Sequence, residues 1–250
     1  MSSSAAVIPA RNEAKTIVEV VQGSLGQVDR VIVVDDGSDD GTLDELEGLN
    51  IERLQRPCSG GKAAALADGF QRALSLGCDR IVTLDGDGQH EPSDISRLLE
   101  AARAYPEHLV LGARLRQRHR QPGLRRFANR FADFFISWAS GQRVPDSQTG
   151  FRVYPAPLLR QVRPCTERRH GFVFEAAMLI DGARAGHPCV AVAIDSVYRD
   201  GARPSYFRPG RDVWEIFCFV AWRLLRRGLH LPGLWRVITR PTRFHGADRP

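Results

Sequence analysis

Asp35 and Asp36 close one apolar run of the chain, Arg30–Val34, and Asp85 and Asp87 close another, Arg80–Leu84. Such runs read as strands, and in open α/β sheets ligands bind just past the carboxyl ends of the strands. Two carboxylates spaced by one small residue can share a divalent cation, and Gly86 between them lets the backbone approach a ligand closely. Hard oxygen donors suit Mg2+ or Mn2+, ions that commonly take phosphate oxygens and water as well. Gln89 adds an amide oxygen, so the candidate metal ligands are Asp85, Asp87 and Gln89, with His90 as a hydrogen-bonding neighbour. Either pair alone reads more readily as a solvated acidic turn. Two pairs at the same edge of one sheet are less easily assigned to solvation.

The elements that must hold these residues alternate between short apolar runs and helical stretches, the pattern of an α/β fold with a mostly parallel sheet. Ala5–Pro9 is a first strand, and a helix runs from Asn12 or Glu13 to Leu25. Arg30–Val34 is apolar after its first residue, so it belongs at the sheet centre, buried on both faces. The dense turn signal Asp35–Thr42 follows it. A short helix at Leu43–Gly48 and a strand at Ile51–Leu54 lead to an alanine-rich helix, Lys62–Leu76, opened by Gly60-Gly61. After Arg80–Leu84, Pro92 starts a helix to Tyr105, at a first-turn position where its missing N–H costs little. His108–Gly112 is the next strand, and a helix spans Leu124–Ser140. Asp146–Arg152 turns into a short strand, Gly171–Ala185 is a helix, and Val190–Tyr198 is a strand. Gly201–Arg211 reads as loop, and the last twenty residues read as loose.

Composition bounds the class. A chain of 250 residues with 43% hydrophobic content has enough apolar material for one α/β domain, or a domain with a tail. That excludes wholesale disorder, a collagen-like chain and a small disulfide scaffold. The longest apolar run, Ile216–Trp222, is far short of the roughly 20 residues a spanning helix needs. The first ten residues have no basic segment and no long apolar stretch, which argues against a secretory signal. Five cysteines without a CxxC form neither a zinc site nor a disulfide framework and fit a reducing compartment.

The net charge of +6 rests almost wholly on arginine, since Lys15 and Lys62 are the only lysines. A GC-rich coding bias accounts for most of that total. Arg114–Arg130 holds seven arginines in seventeen positions. It reads first as a loop over the active site and second as a solvated face. Nucleic-acid binding ranks last, because no aromatic is interleaved before Phe127. From Asp212 to Arg227 an apolar, tryptophan-bearing segment ends in basic residues. It reads equally as a core helix and as a helix lying in a membrane interface.

Three motifs occur in a recognisable order: Val7-Ile8-Pro9-Ala10-Arg11-Asn12-Glu13, then Val33–Thr42 around Asp35-Asp36-Gly37-Ser38, then Asp85-Gly86-Asp87-Gly88-Gln89-His90. Together they resemble the family 2 inverting glycosyltransferases, and most nearly the dolichol-phosphate mannosyltransferase-like branch, which acts on polyprenyl-phosphate acceptors. Residues 5–115 carry the resemblance strongly. Asp146–Arg152 extends it, and Arg199–Ser205 matches more loosely.

The resemblance implies a GT-A, Rossmann-like nucleotide-diphospho-sugar fold in residues 1–210, with residues 211–250 as a C-terminal apolar and basic helix and tail. It implies that Pro9, Arg11 and Glu13 lie at the nucleobase and ribose, although Arg11 replaces the usual aromatic residue. Val34 and Asp36 would also face the nucleoside. Asp85, Gly86 and Asp87 would carry the metal and donor. Lys62 would either touch the nucleotide or be an exposed helix-start lysine. Its Gly60-Gly61-Lys62 setting lacks the spacing of a P-loop. Arg114 would sit near the diphosphate or acceptor phosphate, and Arg199, with Arg203 or Arg208, over the donor phosphates.

The activity implied is metal-dependent, inverting transfer of a sugar from a nucleotide-sugar donor to a lipid-linked acceptor, with Asp87 and Arg114 central. The expected setting is peripheral, on the cytosolic face of a membrane, without nucleic acid. A phosphate acceptor is already an anion and needs no general base. A hydroxyl acceptor needs a carboxylate to take its proton, and Asp146 and Glu175 are the candidates. Each also has a structural reading, Asp146 as a turn or cap residue and Glu175 as a charge at a helix start. Transfer to a hydroxyl of a glycolipid or other small acceptor is the first alternative. A sugar-nucleotide pyrophosphorylase and a non-catalytic arginine-rich binding protein rank below it.

Overall fold

The computed structural model describes residues 3–115, 123–162, 173–195 and 209–246. Its strands are β1 (Ser4–Ala10), β2 (Arg30–Asp35), β3 (Glu52–Gln55), β4 (Arg80–Thr83), β5 (Leu109–Ala113), β6 (Arg152–Pro155) and β7 (Cys189–Ala193). They form one sheet in the order β3-β2-β1-β4-β6-β5-β7. Only the pairings of β6, with β4 and with β5, are antiparallel. The sheet is therefore mixed and mostly parallel, as expected. The reversal of β6 has a direct consequence. The carboxyl ends of β1, β2, β4 and β5 share one edge with the amino end of β6, where Ala10 pairs with Asp35 and Thr83 with Arg152.

Strand alternation divides the core between the two faces of the sheet. Val7, Ile32, Val34 and Ile81 face one cluster, covered by α2 (Lys62–Ser75), α4 (Gly123–Ser140), α6 (Val173–Arg184) and α7 (Pro209–Leu225). Ile8, Val31, Val33 and Val82 face the other, covered by α1 (Ile17–Ser24) and α3 (Ile95–Ala104). Each such aliphatic side chain, fully buried, contributes about 1.5–3 kcal/mol. A Cβ at Gly69 would stand 2.3 Å from Val7 Cγ1, so a glycine there is what lets α2 lie this close to β1.

The structure corrects several boundaries. Helix α1 begins at Ile17 rather than at Asn12 or Glu13. Asn12 is left-handed, with φ 56°, and the N–H groups of Asn12, Glu13 and Ala14 donate to Ser38 Oγ, Thr42 Oγ1 and Asp40. Held by side chains 26–29 residues away, the left-handed backbone at Asn12 departs from helical geometry there, and the helix starts later. A short helix α5 (Ala156–Gln161) follows β6 without a sequence signal that singled it out. Strand β7 ends at Ala193, and the expected extension to Tyr198 runs outside the described residues.

The last twenty residues are not loose where they are described. Leu231–Thr239 is a helix, α8, with Pro232 in its first turn, and Arg243 and His245 hydrogen-bond across Ala191 of β7. No helix among the described residues is long and apolar enough to cross a membrane.

Candidate active site

The two acidic pairs that look alike in the sequence are held very differently. Asp35 and Asp36 are 1% and 3% exposed. Asp35 accepts hydrogen bonds from the backbone N–H and hydroxyl of Ser38, closing the turn after β2. Asp36 accepts from Ser59 Oγ (2.7 Å), Gly60 N (2.8 Å) and Gly61 N (2.8 Å), and ion-pairs with Arg56 Nε at 3.1 Å. It therefore fixes the segment that leads into α2.

The carboxylate expected to face the nucleoside is thus already engaged by residues 56–61. Val34, expected beside it, is wholly buried and packs against Gly69. Arg11, at the end of β1, is exposed and donates to Ser59 Oγ at 2.9 Å. A polar cleft beside it is lined by Gly37, Ser38, Gln55, Arg56, Pro57 and Cys58.

The second pair is open. The Asp85 side chain is 28% exposed, with Oδ1 2.6 Å from Lys62 Nζ and Oδ2 3.8 Å from His90 Nε2. Lys62 is the first residue of α2, and its Nζ also lies 3.3 Å from Glu175 Oε1 in the first turn of α6. It is thus neither a free helix-start lysine nor exposed to solvent on all sides. Burial works against charging Lys62, but Asp85 and Glu175 outweigh it and raise its pKa. Burial likewise opposes ionisation of Asp85, yet Lys62 and His90 hold its carboxyl well below the usual carboxylate range. Asp87 moves the other way, raised by burial and by the negative charge of Asp85. Its oxygen accepts from the backbone N–H of Gln89 at 3.0 Å.

Pro9, Glu13 and Gly86 converge on this turn. A Cβ built on Gly86 would lie 3.5 Å from Pro9 O and 3.6 Å from Glu13 Cγ. Thr16 Oγ1 donates to Gly86 O at 2.7 Å, so the loop after β1 is tied to the turn after β4.

Arg114 follows β5 and is gripped by Asp146. Its backbone N–H and Nε donate to Oδ2 (3.1 and 2.9 Å), and Nη2 donates to Oδ1 (3.1 Å). This bidentate pair fixes the guanidinium at the sheet edge. Asp133 of α4 accepts from Ser147 N at 2.8 Å and so anchors the neighbouring residue.

Two residues of the same stretch carried no role of their own in the sequence. Arg152 is fully buried and donates to the carbonyls of Thr149, Glu175 and Ser147 at 2.8, 3.0 and 2.8 Å, stitching the loop before β6 to α6. A Cβ at Gly150 would stand 2.8 Å from Asp85 Oδ2 and 2.9 Å from Lys62 Nζ, so a side chain there would displace one of them. Both lie in Asp146–Arg152, and the Gly150-Phe151-Arg152 run was the signal available.

One cluster therefore gathers Pro9, Glu13, Lys62, Asp85, Gly86, Asp87 and Glu175, and the Arg114–Asp146 pair adjoins it through residues 147–152. Arg199 and Arg203 lie outside the described residues, as do Arg116, Arg118 and Arg120 of the arginine-rich stretch. Among the described residues no group of three or more His, Cys, Asp or Glu side chains is placed to bind one metal ion. The protein offers the paired carboxylates Asp85 and Asp87, a set that suits an ion sharing its shell with substrate phosphates and water.

Residues 5–162 match glycosyl transferase family 2. The chain is 32% identical to an undecaprenyl-phosphate mannosyltransferase of Micrococcus luteus over 213 residues, covering 78% of this chain and 83% of that protein. It is 30% identical to a polyprenol monophosphomannose synthase of Mycolicibacterium smegmatis, covering 78% and 77% of the two chains. Among solved structures it resembles glucosyl-3-phosphoglycerate synthase of Mycobacterium tuberculosis with Mn2+, UDP and product, with TM-score 0.64, 21% identity and coverage of 90% and 80%. Mannosyl-3-phosphoglycerate synthase of Rubrobacter xylanophilus gives TM-score 0.68 at 18% identity, covering 100% and 79%. These structures share the GT-A fold.

Proposed function

The chain belongs to glycosyl transferase family 2, and from that premise we propose that it moves a sugar, with inversion, from a nucleotide-sugar donor to the phosphate of a lipid-linked, polyprenyl-phosphate-like acceptor. The observation that carries the acceptor class is the state of the two candidate bases. Asp146 is engaged by Arg114, and Glu175 by Lys62. Each carboxylate already serves an ion pair within the fold, which gives it a structural role without any base chemistry. A phosphate acceptor is already an anion and asks for no base. The printed names of the relatives, undecaprenyl-phosphate and polyprenol transferases, support the same class.

Asp85 and Asp87, with the Gln89 amide, are the residues to hold Mg2+ or Mn2+. The upward shift of Asp87 fits that assignment, because crowded negative charge is what a cation relieves. When bound, the ion supplies stabilisation for charge developing on the departing diphosphate. Arg114, fixed by Asp146, is aimed to bind and orient phosphate oxygens, and Asp146 acts as its positioning residue. Pro9, Arg11 and Glu13 form the nucleoside side of the donor site, with Asp36 shaping it from below. Lys62 balances Asp85 and Glu175 and so presets the donor side. Arg199 and Arg203 are assigned to the donor phosphates on the motif alone.

Residues 1–210 serve as the catalytic unit and 211–250 as a membrane-facing helix and tail. We assign transfer to the cytosolic face, with peripheral membrane contact; the free cysteines among the described residues support a reducing compartment. The test is transfer of labelled sugar from a nucleotide-sugar to a short-chain polyprenyl phosphate or to the matching polyprenol. Transfer to the phosphate alone is expected. Transfer to the alcohol, lost in Asp146→Asn or Glu175→Gln, would establish the base-assisted alternative instead.

A further inference from the structure

Helix α7 is apolar on two opposite sides. Ile216, Val220 and Leu224 are buried against α4 and α6, which accounts for one apolar stripe. The opposite stripe, Trp214, Cys218, Trp222 and Leu225, follows helical spacing and is exposed along its length. Helix α8 repeats the arrangement. Its inward residues are Gly233 and Val237, while Leu231, Trp235 and Ile238, at i, i+4 and i+7, are 62%, 69% and 64% exposed. Amphipathic helices of a water-soluble domain turn such stripes inward. Here the sequence supplies a second stripe and the fold leaves it outside.

The exposed residues belong to one region. Trp214 stacks on Phe217 at 5.7 Å, and Phe217 meets Phe131 of α4 at 6.2 Å. Phe131 and Phe134 of α4 are themselves exposed. Trp138, at the far end of α4, donates from Nε1 to the carbonyl of Leu229, between α7 and α8. Helix α4 therefore joins the two outward stripes.

Charge selects the occupant. Asp212 and Glu215 lie at the start of α7, but from Ile216 to Gly246 there are six arginines and no carboxylate, with Arg223 alone of the six bound to a carboxylate among the described residues, Asp181 of α6. Arg226 lies over the Trp222 ring at 4.6 Å, and Arg236 and Arg240 are exposed on α8 and at its end. Tryptophan and leucine among arginines, without acidic residues, match the headgroup zone of an anionic bilayer. A second copy of this chain would bring the same positive charge against itself.

We propose that the outward faces of α7 and α8, joined by α4, form a docking surface for an anionic lipid bilayer. This deepens the lipid-acceptor reading and rests on it for its purpose. Asp133, on the helix that carries Phe131 and Phe134, holds Ser147, next to the Asp146 that fixes Arg114. A bilayer on this face therefore lies one helix away from the arginine assigned to the acceptor phosphate.

The test is co-sedimentation of the full chain with phosphatidylcholine vesicles and with phosphatidylglycerol–phosphatidylcholine vesicles, without nucleotide. Binding to the anionic vesicles, weakened by salt, is expected. Trp222→Glu with Trp235→Glu should weaken it about ten-fold or more, and Arg226→Glu with Arg236→Glu by a similar factor. Both pairs are exposed, so the thermal midpoint is the control for folding, and the arginine pair stands as a second variant. No vesicle binding by the wild type overturns the proposal. So does equal binding to neutral vesicles, or a salt-resistant dimer that the tryptophan substitutions dissolve. Nucleotide-sugar binding is read separately. Vesicle binding without it would keep the docking face and remove the transfer reading, and the converse would do the reverse.

Discussion

The turn after β2 and the turn after β4 carry the same chemistry in the sequence and opposite roles in the fold. Asp36 is met by two backbone N–H groups, a hydroxyl and a guanidinium, all from residues 56–61. Its charge is satisfied within the protein and holds that segment in place. Asp85 meets Lys62 and His90, Asp87 feels the negative charge of Asp85, and the pKa values of the pair are driven apart. A carboxylate becomes scaffold or site according to how many donors the fold brings to it. Acidity at a strand end does not distinguish the two.

That contrast can be broken or sharpened by substitution, beginning with the largest effect. Asp85→Asn should lower transfer activity by about a hundred-fold or more, the scale of losing one preorganised charge contact, with a smaller fall in thermal midpoint than Asp36→Ala because Lys62 keeps Glu175. Asp36→Ala should do the reverse. Leaving Gly60 and Gly61 N–H without an acceptor and Arg56 without its buried partner should cost about 3 kcal/mol, a fall of roughly 10 °C for a chain of this size by calorimetry. If the two variants exchanged these phenotypes, the division into scaffold and site would be wrong.

Gly150→Ala is next. A methyl group at 2.8 Å from Asp85 Oδ2 must displace either the carboxylate or Lys62. Activity should drop about ten-fold, because misplacement at the reacting site is costly. An unchanged kcat/KM would show that the Asp85–Lys62 contact does not matter to turnover.

The smallest effect concerns Asp40, in the same turn as Asp36. Burial opposes its ionisation, but the Thr42 hydroxyl and the N–H groups of Ala14 and Thr42 hold its pKa below 3.8. A depressed native pKa means the ionised form is favoured by folding. The contribution is complete above pH 3.8 and is lost as pH falls through the lower native value. Urea midpoints of wild type and Asp40→Ala should therefore differ at neutral pH and converge in acid. A gap that persisted below the native pKa would exclude this origin.

The same contrast explains what could be read in advance. β2 and β4 were legible because their apolar runs are continuous and end in turn residues, and the edge that gathers their carboxylates follows from a parallel sheet. The Asp85–Lys62–Glu175 contact was not legible, since it joins residues 23 and 113 positions from Lys62 through the packing of α2 and α6. Nor was the start of α1, before which the N–H groups of Asn12, Glu13 and Ala14 are held by Ser38, Thr42 and Asp40. Helix α8 was not legible either, since the last twenty residues read as loose. In the fold Pro232 occupies the first turn, and Gly233 packs where a Cβ would meet His230 and Trp138 O. Arg152 was quoted within a motif, but its burial against three carbonyls is a property of the reversed strand β6.

The most direct test of the central claim is thermal unfolding with UDP-, GDP- and other nucleotide-sugars, with Mn2+ or with EDTA, in wild type and Asp87→Asn. A ligand that binds only the native state raises the midpoint. The account predicts a rise with one nucleotide-sugar that requires the metal and disappears in Asp87→Asn. A rise that persists in EDTA and in the variant, or no rise with any nucleotide-sugar, would contradict it.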